Sequence, residues 1–374
     1  MNSTKVTVLN GIEEVTHRLL LSTLFTAGPV IFLGSFGNIC VIVVFIRKKG
    51  LRTTSISLTV ALMFFSLNLI GCAYPVQCLL DLFFFTSQPW CYMIGSILPT
   101  ASVQVTVCLF VLTVERYIAI VHPFMAGNLF TTKRVTLIAA FIALYSYSFS
   151  YGIGALVWIG KGELWRQTRR CNWLFVTPSK NLILATMLHW MILIPIMVIL
   201  FAHLFITVRR HIRSISSVQP ATSQAPSQPV LSSPTNSRNE NTRSNNHSAL
   251  RISETLRRRT NRRMLREAKS ALRLFFVLVI YICNWVPFTI FVVTGVLSEE
   301  NVSPMQYVLL HTSVYSAGAI APYIYGFGNR RIFREIKVMI LPRSCTTLAD
   351  DSGNTVHFIS TRTTRQDTRE IDED

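Results

Sequence analysis

The chain has 374 residues, half of them hydrophobic and only 14% charged, with 36 Lys and Arg against 18 Asp and Glu for a formal charge of +18. So much apolar material beside so little charge excludes an ordinary water-soluble globular domain. The excess of cations would suit nucleic acid, but it gathers at the rims of apolar runs, where basic residues meet anionic lipid headgroups, so the partner inferred is membrane lipid and no nucleic acid.

Met1 to Arg18 is polar and lacks the apolar core of a cleavable signal peptide, so the first apolar run is expected to act as its own insertion signal. Seven windows then reach the length needed to cross the hydrocarbon: 22–46, 55–83, 91–121, 134–159, 181–208, 270–297 and 304–327. Separated runs of this length without two-residue alternation suit helices, not a barrel. The expected fold class is an all-α membrane protein: an N-terminal segment 1–21, a seven-transmembrane helix bundle over 22–327, an amphipathic helix at 328–342 and a disordered tail at 343–374.

Orientation follows from where Lys and Arg fall in the loops. Arg47, Lys48, Lys49 and Arg52 mark the first loop, Lys133 and Arg134 the third, and Arg209, Arg210, Arg213 and Arg257 to Arg263 the edges of the fifth. These loops are therefore placed in the cytosol, the N-terminus outside and the C-terminus inside. Between the fifth and sixth runs, about 214–255 is rich in Ser, Asn, Pro and Gln and cannot bury enough apolar surface to fold. Its flanks, Val208 to Ile215 and Leu256 to Leu274, mix Arg with apolar residues as helices projecting beyond a membrane do. After the seventh run, NRRIFREIKVMIL (Asn329 to Leu341) has the helical alternation of a segment lying on the inner leaflet.

The third run ends in CLFVLTVERYIAIVHPF, where Glu115 and Arg116 sit side by side. A helix from Cys91 would carry Arg116 about 37 Å away, at the cytosolic mouth. The pair could merely mark the end of the span. Counting back from Pro287 in the sixth run, however, puts Glu267 about 30 Å lower and hence at the same level, where an acid on one helix could hold a cation on another.

TVERYIAIVHP resembles the Glu/Asp-Arg-Tyr segment of rhodopsin-like G-protein-coupled receptors, NWVPF (Asn284 to Phe288) their Cys-Trp-x-Pro motif, and APYIY (Ala321 to Tyr325) their Asn-Pro-x-x-Tyr with its first residue changed. GNICVIV (Gly37 to Val43) and Pro195 are similar to the first-helix and fifth-helix signatures, and the likeness runs from about 20 to 340. The resemblance implies a receptor that binds an extracellular ligand and opens its inner face to a heterotrimeric G protein, with arrestin and receptor kinases as further partners. The event catalysed would be nucleotide exchange on the partner, so no enzyme activity and no cofactor or metal are expected of the chain. It also implies a switch built from Glu115, Arg116, Tyr117, His203, Glu267, Trp285, Pro287, Pro322 and Tyr325, with Trp285 and Pro287 as the hinge of the sixth helix. An ordinary core residue and an ordinary kink remain the plainer reading of that pair.

Topology places Cys91 and Cys171 outside, where a disulfide could tie the fourth loop to the top of the third helix; two free thiols are the alternative. The remaining cysteines are expected to be reduced, with Cys345 a possible lipidation site. Asn2 and Asn301 head outer-side glycosylation sequons. Asn38, Pro322 and Tyr325 are costly at membrane depth unless they face the bundle interior.

The family pattern breaks in places. Ser66 stands where a buried aspartate is usual, and Val105, Ala317 and Ala321 replace other oxygen-bearing positions, so no internal sodium site is expected. His203 stands where many relatives carry a tyrosine. Leu98 occupies the place of the aspartate that holds amine ligands, and Tyr315 that of the lysine of opsins, which argues against an amine ligand and against light detection. Arg166, Arg169 and Arg170 beside Cys171 could attract an acidic ligand or peptide, or could form a merely solvated loop. Asp81, Gln104, His189 and Trp190 lie in the outer halves of their runs and are candidates to line the cavity. Two rival readings are a seven-helix scaffold or trafficking partner without ligand-driven signalling, and a transporter, against which the chain shows no repeated half.

Overall fold

The computed structural model of the chain describes residues 2–48, 50, 53–83, 93–160, 180–217, 265, 268–294 and 304–340. Six of the described helices are long and apolar enough to cross a bilayer: Leu24–Arg47, Thr54–Leu79, Met93–Val121, Thr132–Ile153, Met187–Arg210 and Ala268–Thr294. A seventh, Pro304–Gly328, is 25 residues long and completes the seven-helix bundle. Its Val314, Tyr315, Ala317, Ala319, Ala321 and Tyr325 are all buried in the common core.

We number the helices in chain order. Helix α1 (Asn2–Arg47) is followed by α2 (Thr54–Leu67), a π-helical turn (Asn68–Ala73) and α3 (Tyr74–Phe83), which together form the second span. The third span is α4 (Ile97–Val121), followed by the short α5 (Pro123–Leu129). Helices α6 (Thr132–Gly160), α7 (Lys180–Ser217), α8 (Ala268–Thr294), α9 (Pro304–Gly328) and α10 (Arg330–Ile340) complete the chain.

Helix α1 runs without interruption through the segment ahead of the first span, because its first proline is Pro29. At 1.5 Å per residue its 46 residues reach roughly 70 Å, about twice the thickness of the hydrocarbon. Helix α7 likewise continues to Ser217, beyond the apolar window that ends at Arg210, so its Arg-bearing end projects past the span.

The bundle turns its polar groups inward and its apolar groups outward. Phe25, Phe32, Phe141, Ile199 and Phe205 are each at least 60% exposed, which water would penalise and lipid does not. Asn38, Ser66, Gln77, Gln104, Thr106 and Thr113 are buried. Helix α4 is the axle: two-thirds of its apolar window is buried, against 17% for the fourth and fifth spans, and it packs on α2, α6 and α7.

Small residues set the closest helix contact, that of α1 with α9. A Cβ on Gly34 would stand 2.9 Å from Ala319 Cβ and 3.1 Å from its Cα, and one on Gly37 2.9 Å from Pro322, so backbones approach as they do where small residues line a membrane interface. Asn38 seals that contact by donating from Nδ2 to Gly34 O at 2.8 Å and, at the edge of hydrogen-bond range, to Gly318 O at 3.5 Å. The π turn has a local cause. Pro75 offers no N–H to the preceding turn and its ring crowds a carbonyl there, and the chain answers by widening, with Tyr74 N–H reaching back to Leu69 O.

At the inner end, Asn329 Oδ1 accepts from Arg331 N at 3.1 Å and caps α10, whose Ile332 and Ile336 are buried while Phe333, Val338 and Ile340 face outward. An exposed ion pair of 2.9 Å between Lys48 and Glu335 ties α10 to the end of α1, worth well under 1 kcal/mol in water by itself.

Candidate functional site

The last two turns of α4 bring Glu115 and Arg116 to the inner end of the bundle, and both are nearly inaccessible, at 4% and 2% exposure. Neighbouring positions on a helix point roughly 100° apart, so the pair forms only because the long arginine folds sideways across its own helix. Arg116 Nε lies 2.7 Å from Glu115 Oε2 and its NH2 donates to Oε1 at 3.1 Å, a close ion pair with one hydrogen bond across it, which we call the fork. Two opposite charges in a low-dielectric setting lower one another's cost of burial, and separating them leaves a buried charge.

Around the fork stand residues from other helices. Tyr325 of α9 is buried and interacts electrostatically with Arg116, Glu115 and Arg273, and its hydroxyl finds no hydrogen-bond partner among the described residues. Arg273 of α8 reaches the same region: its Nε donates to Lys269 O at 3.2 Å and its stem lies so close to Gly328 that a Cβ there would be 2.7 Å from Arg273 Cδ. Arg116 and Arg273 repel one another across this space. Three helices thus contribute to one region, with two cations and one carboxylate in electrostatic contact. Sequence reasoning missed Arg273, although it is the single arginine of the sixth apolar window and lies one turn inside it.

Tyr117 points to another seam. Its ring is 5.5 Å from that of His203 and 6.3 Å from that of His122, linking α4, α7 and the start of α5. His203 is exposed on the flank of α7, so it meets the switch region through Tyr117 at the surface of the bundle.

Midway up, Trp285 of α8 stacks on Trp190 of α7 with centroids 4.9 Å apart and planes 17° from parallel, and Phe288 meets it edge-on. Below them Thr106 of α4 is a hub. Its hydroxyl donates to Ser102 O at 2.8 Å, which leaves both lone pairs to accept from Trp190 Nε1–H at 3.1 Å and from the Tyr281 hydroxyl. One buried hydroxyl therefore joins three spans. Pro287, two residues beyond Trp285 on α8, is exposed and removes a backbone hydrogen bond there.

In the outer half, Gln104 accepts from Asn68 Nδ2 at 3.0 Å, so the widened turn of the second span is aimed at α4. Tyr315 packs against Tyr74 at 4.7 Å, and the Tyr74 hydroxyl shares a 2.8 Å hydrogen bond with Thr312, which in turn reaches Thr26 at 3.4 Å. His189 meets the Tyr145 hydroxyl through Nδ1 at 3.2 Å and lies between Phe149 and Trp190. Leu98 is buried, so the place of an amine-holding aspartate is an apolar wall. Ser66 is wholly buried, and Val105, Ala317 and Ala321 near its depth add only apolar side chains to the core.

The structure thus joins Arg116 with Glu115, Tyr325 and Arg273; Tyr117 with His203; Trp190 with Trp285; and Tyr315 with Tyr74. Pro322 is buried against Gly37. Glu267, Cys91, Cys171, Arg169, Arg170, Asn301 and Cys345 lie outside the described residues, and Asn2 is the first residue of α1. Cys40, Cys72, Cys108 and Cys283 carry free thiols.

Comparison with known proteins agrees with this architecture. The chain is 22% identical over 331 residues to melanopsin of Rattus norvegicus, covering 80% of this chain and 58% of that protein. It is 24% identical over 211 residues to melanopsin of Felis catus, covering 49% of this chain and 39% of that protein. The matched stretches therefore span less than two-thirds of either relative's length. Residues 37–325, more than three-quarters of the chain, match the model of the seven-transmembrane receptors of the rhodopsin family. The chain belongs to that family of receptors.

Proposed function

We propose that this receptor binds an extracellular ligand and activates a heterotrimeric G protein at its inner face, through an outward movement of α8 that frees Arg116. The observation that carries this reading is the Glu115–Arg116 fork, buried at the inner end of α4 beside Tyr325 and facing Arg273 of α8. Moving α8 away would relieve the repulsion between Arg116 and Arg273, which favours the open arrangement, and would free Arg116 only by withdrawing an acid carried on the same helix. Glu267, one turn and a half before Arg273, is proposed as a further acid restraining Arg116.

Thr106, Tyr281, Trp190 and Trp285 form the proposed relay. A ligand seated above the stacked indoles would bias the angle of α8 because α4, α7 and α8 share one hydrogen-bonded hub. Gln104, His189, Tyr315 and the wall at Leu98 would bound that seat. The arginines of the fourth loop, Arg169 and Arg170, would favour an acidic ligand. The melanopsin likeness does not by itself carry light detection over, because no lysine occurs between Pro304 and Gly328. The same reading places the N-terminus outside and the C-terminus in the cytosol of a plasma-membrane protein, with glycans at Asn2 and Asn301, a Cys91–Cys171 bridge, a lipidated Cys345, and arrestin and receptor kinases acting at the cytosolic side.

The test is nucleotide exchange on a panel of heterotrimeric G proteins by the purified full-length chain in nanodiscs. At least one G protein should exchange faster with the receptor than without it, and Arg116→Ala should lower that rate about tenfold or more. Exchange equal to the receptor-free rate for every G protein, with or without an acidic-peptide and lipid library, would favour the scaffold reading instead.

A further inference from the structure

The seam between α7 and α8 opens sideways in the half nearer Arg209 and Lys269. Phe201 and Leu204 form its floor, Phe205 and Leu272 its lips and Phe275 its deep end, around a cavity of about 280 Å3. The floor is buried, whereas Phe205, Leu272 and Phe275 are 60%, 49% and 42% exposed, so the groove faces the surroundings of the bundle and not its interior. Among its lining residues the one charged side chain is Lys269.

A second cation stands on the opposite lip. The Arg209 guanidinium carbon lies 6.0 Å from the centroid of the Phe205 ring, so this side chain folds back over the groove instead of extending away from it. Arg209 is the penultimate residue of the fifth apolar span and Lys269 the second residue of the sixth, which sets both at the level where hydrocarbon gives way to headgroups. Neither has an acidic partner among the described residues. Phe201 and Phe275 lie eight and six residues deeper, about 12 and 9 Å into the leaflet.

We propose that this groove is a binding site for one anionic phospholipid, its headgroup between Arg209 and Lys269 and the upper part of one acyl chain along Phe205, Leu272 and Phe275. The volume is at the small end of ligand sites and suits a single chain, whereas a protein partner would have to enter the hydrocarbon. Two cations at headgroup depth, neither paired with an acid among the described residues, favour an anionic lipid over a zwitterionic one, each by about fivefold. The argument uses the depth of the groove and not which leaflet faces the cytosol, so it stands apart from the signalling assignment.

The experiment reconstitutes the full-length protein in phosphatidylcholine nanodiscs with a trace of photoactivatable lipid, and maps labelling by mass spectrometry. A phosphatidylserine probe should label 201–208 and 268–275 at least tenfold more than a phosphatidylcholine probe. Arg209→Gln with Lys269→Gln should lower phosphatidylserine labelling by more than tenfold, Arg209→Lys with Lys269→Arg should keep it, and Leu272→Trp, which fills the groove, should suppress labelling there by either probe. Equal labelling by the two probes in the unaltered protein overturns the proposal whether or not the variants fold. So does labelling that survives loss of both cations, or displacement of the probe by glycerol phosphate alone, which would assign the cations to a free anion.

Discussion

Glu115 and Arg116 tie the stability of the bundle to the proposed switch. The carboxylate and the guanidinium are adjacent in sequence, and burial forces them into mutual contact. Glu115→Gln keeps the shape of the acid but removes its charge, stranding the cation at a cost on the order of 3 kcal/mol to the closed form. Ligand-free nucleotide exchange should rise severalfold and the melting temperature of the purified receptor should fall; an unchanged exchange rate at equal receptor amount would show that the fork restrains nothing. Thr106 makes a different kind of argument, because its hydroxyl is fully used. Thr106→Val leaves Tyr281 O–H and Trp190 N–H without their shared acceptor, at about 1–3 kcal/mol each, whereas Thr106→Ser retains it. Thermal melting should separate the two variants clearly, with valine the less stable.

At the scale of the helices, α1 and α9 approach closely through small residues. Gly34 is the narrowest point: a valine there would drive its side chain into Ala319, including its backbone. Gly34→Val should cost on the order of 1–3 kcal/mol and lower the amount of folded receptor at the cell surface, while Gly28→Ala, which has open space, should leave it unchanged. The helices themselves were legible because apolar length is a strong signal: expected windows such as 134–159 and 304–327 fall within a few residues of Thr132–Gly160 and Pro304–Gly328. The inward placing of Asn38, Pro322 and Tyr325 was equally legible, since lipid forbids the alternative. The π turn at Asn68–Ala73 was not, because a widened turn depends on how a proline's missing donor is compensated, and several local solutions exist. Nor was the Thr106 hub, whose members are 84 and 175 residues away in the chain and share no periodic pattern.

Taken whole, the molecule is a bundle in which the lipid-facing surface is greasy, the axis is polar, and the charges gather at the inner end. Its family was readable from short segments on α1, α4, α8 and α9 together with Pro195 of α7, and two of those segments meet in space. Arg116 and Tyr325 interact electrostatically, and Trp285 stacks within the layer above. Departures such as Ser66, Ala321 and His203 alter local wiring and leave this arrangement intact. What such a closed bundle can do depends on whether α8 leaves α4 when a partner arrives. The most direct test places spin labels at Leu129 on α5 and at Leu265, three residues ahead of α8, both exposed, in the full-length receptor in nanodiscs. On adding nucleotide-free G protein the distance between the labels should lengthen by more than the width of the ligand-free distribution. A distribution that stays where it was while nucleotide exchange proceeds would contradict the release of Arg116 by movement of α8.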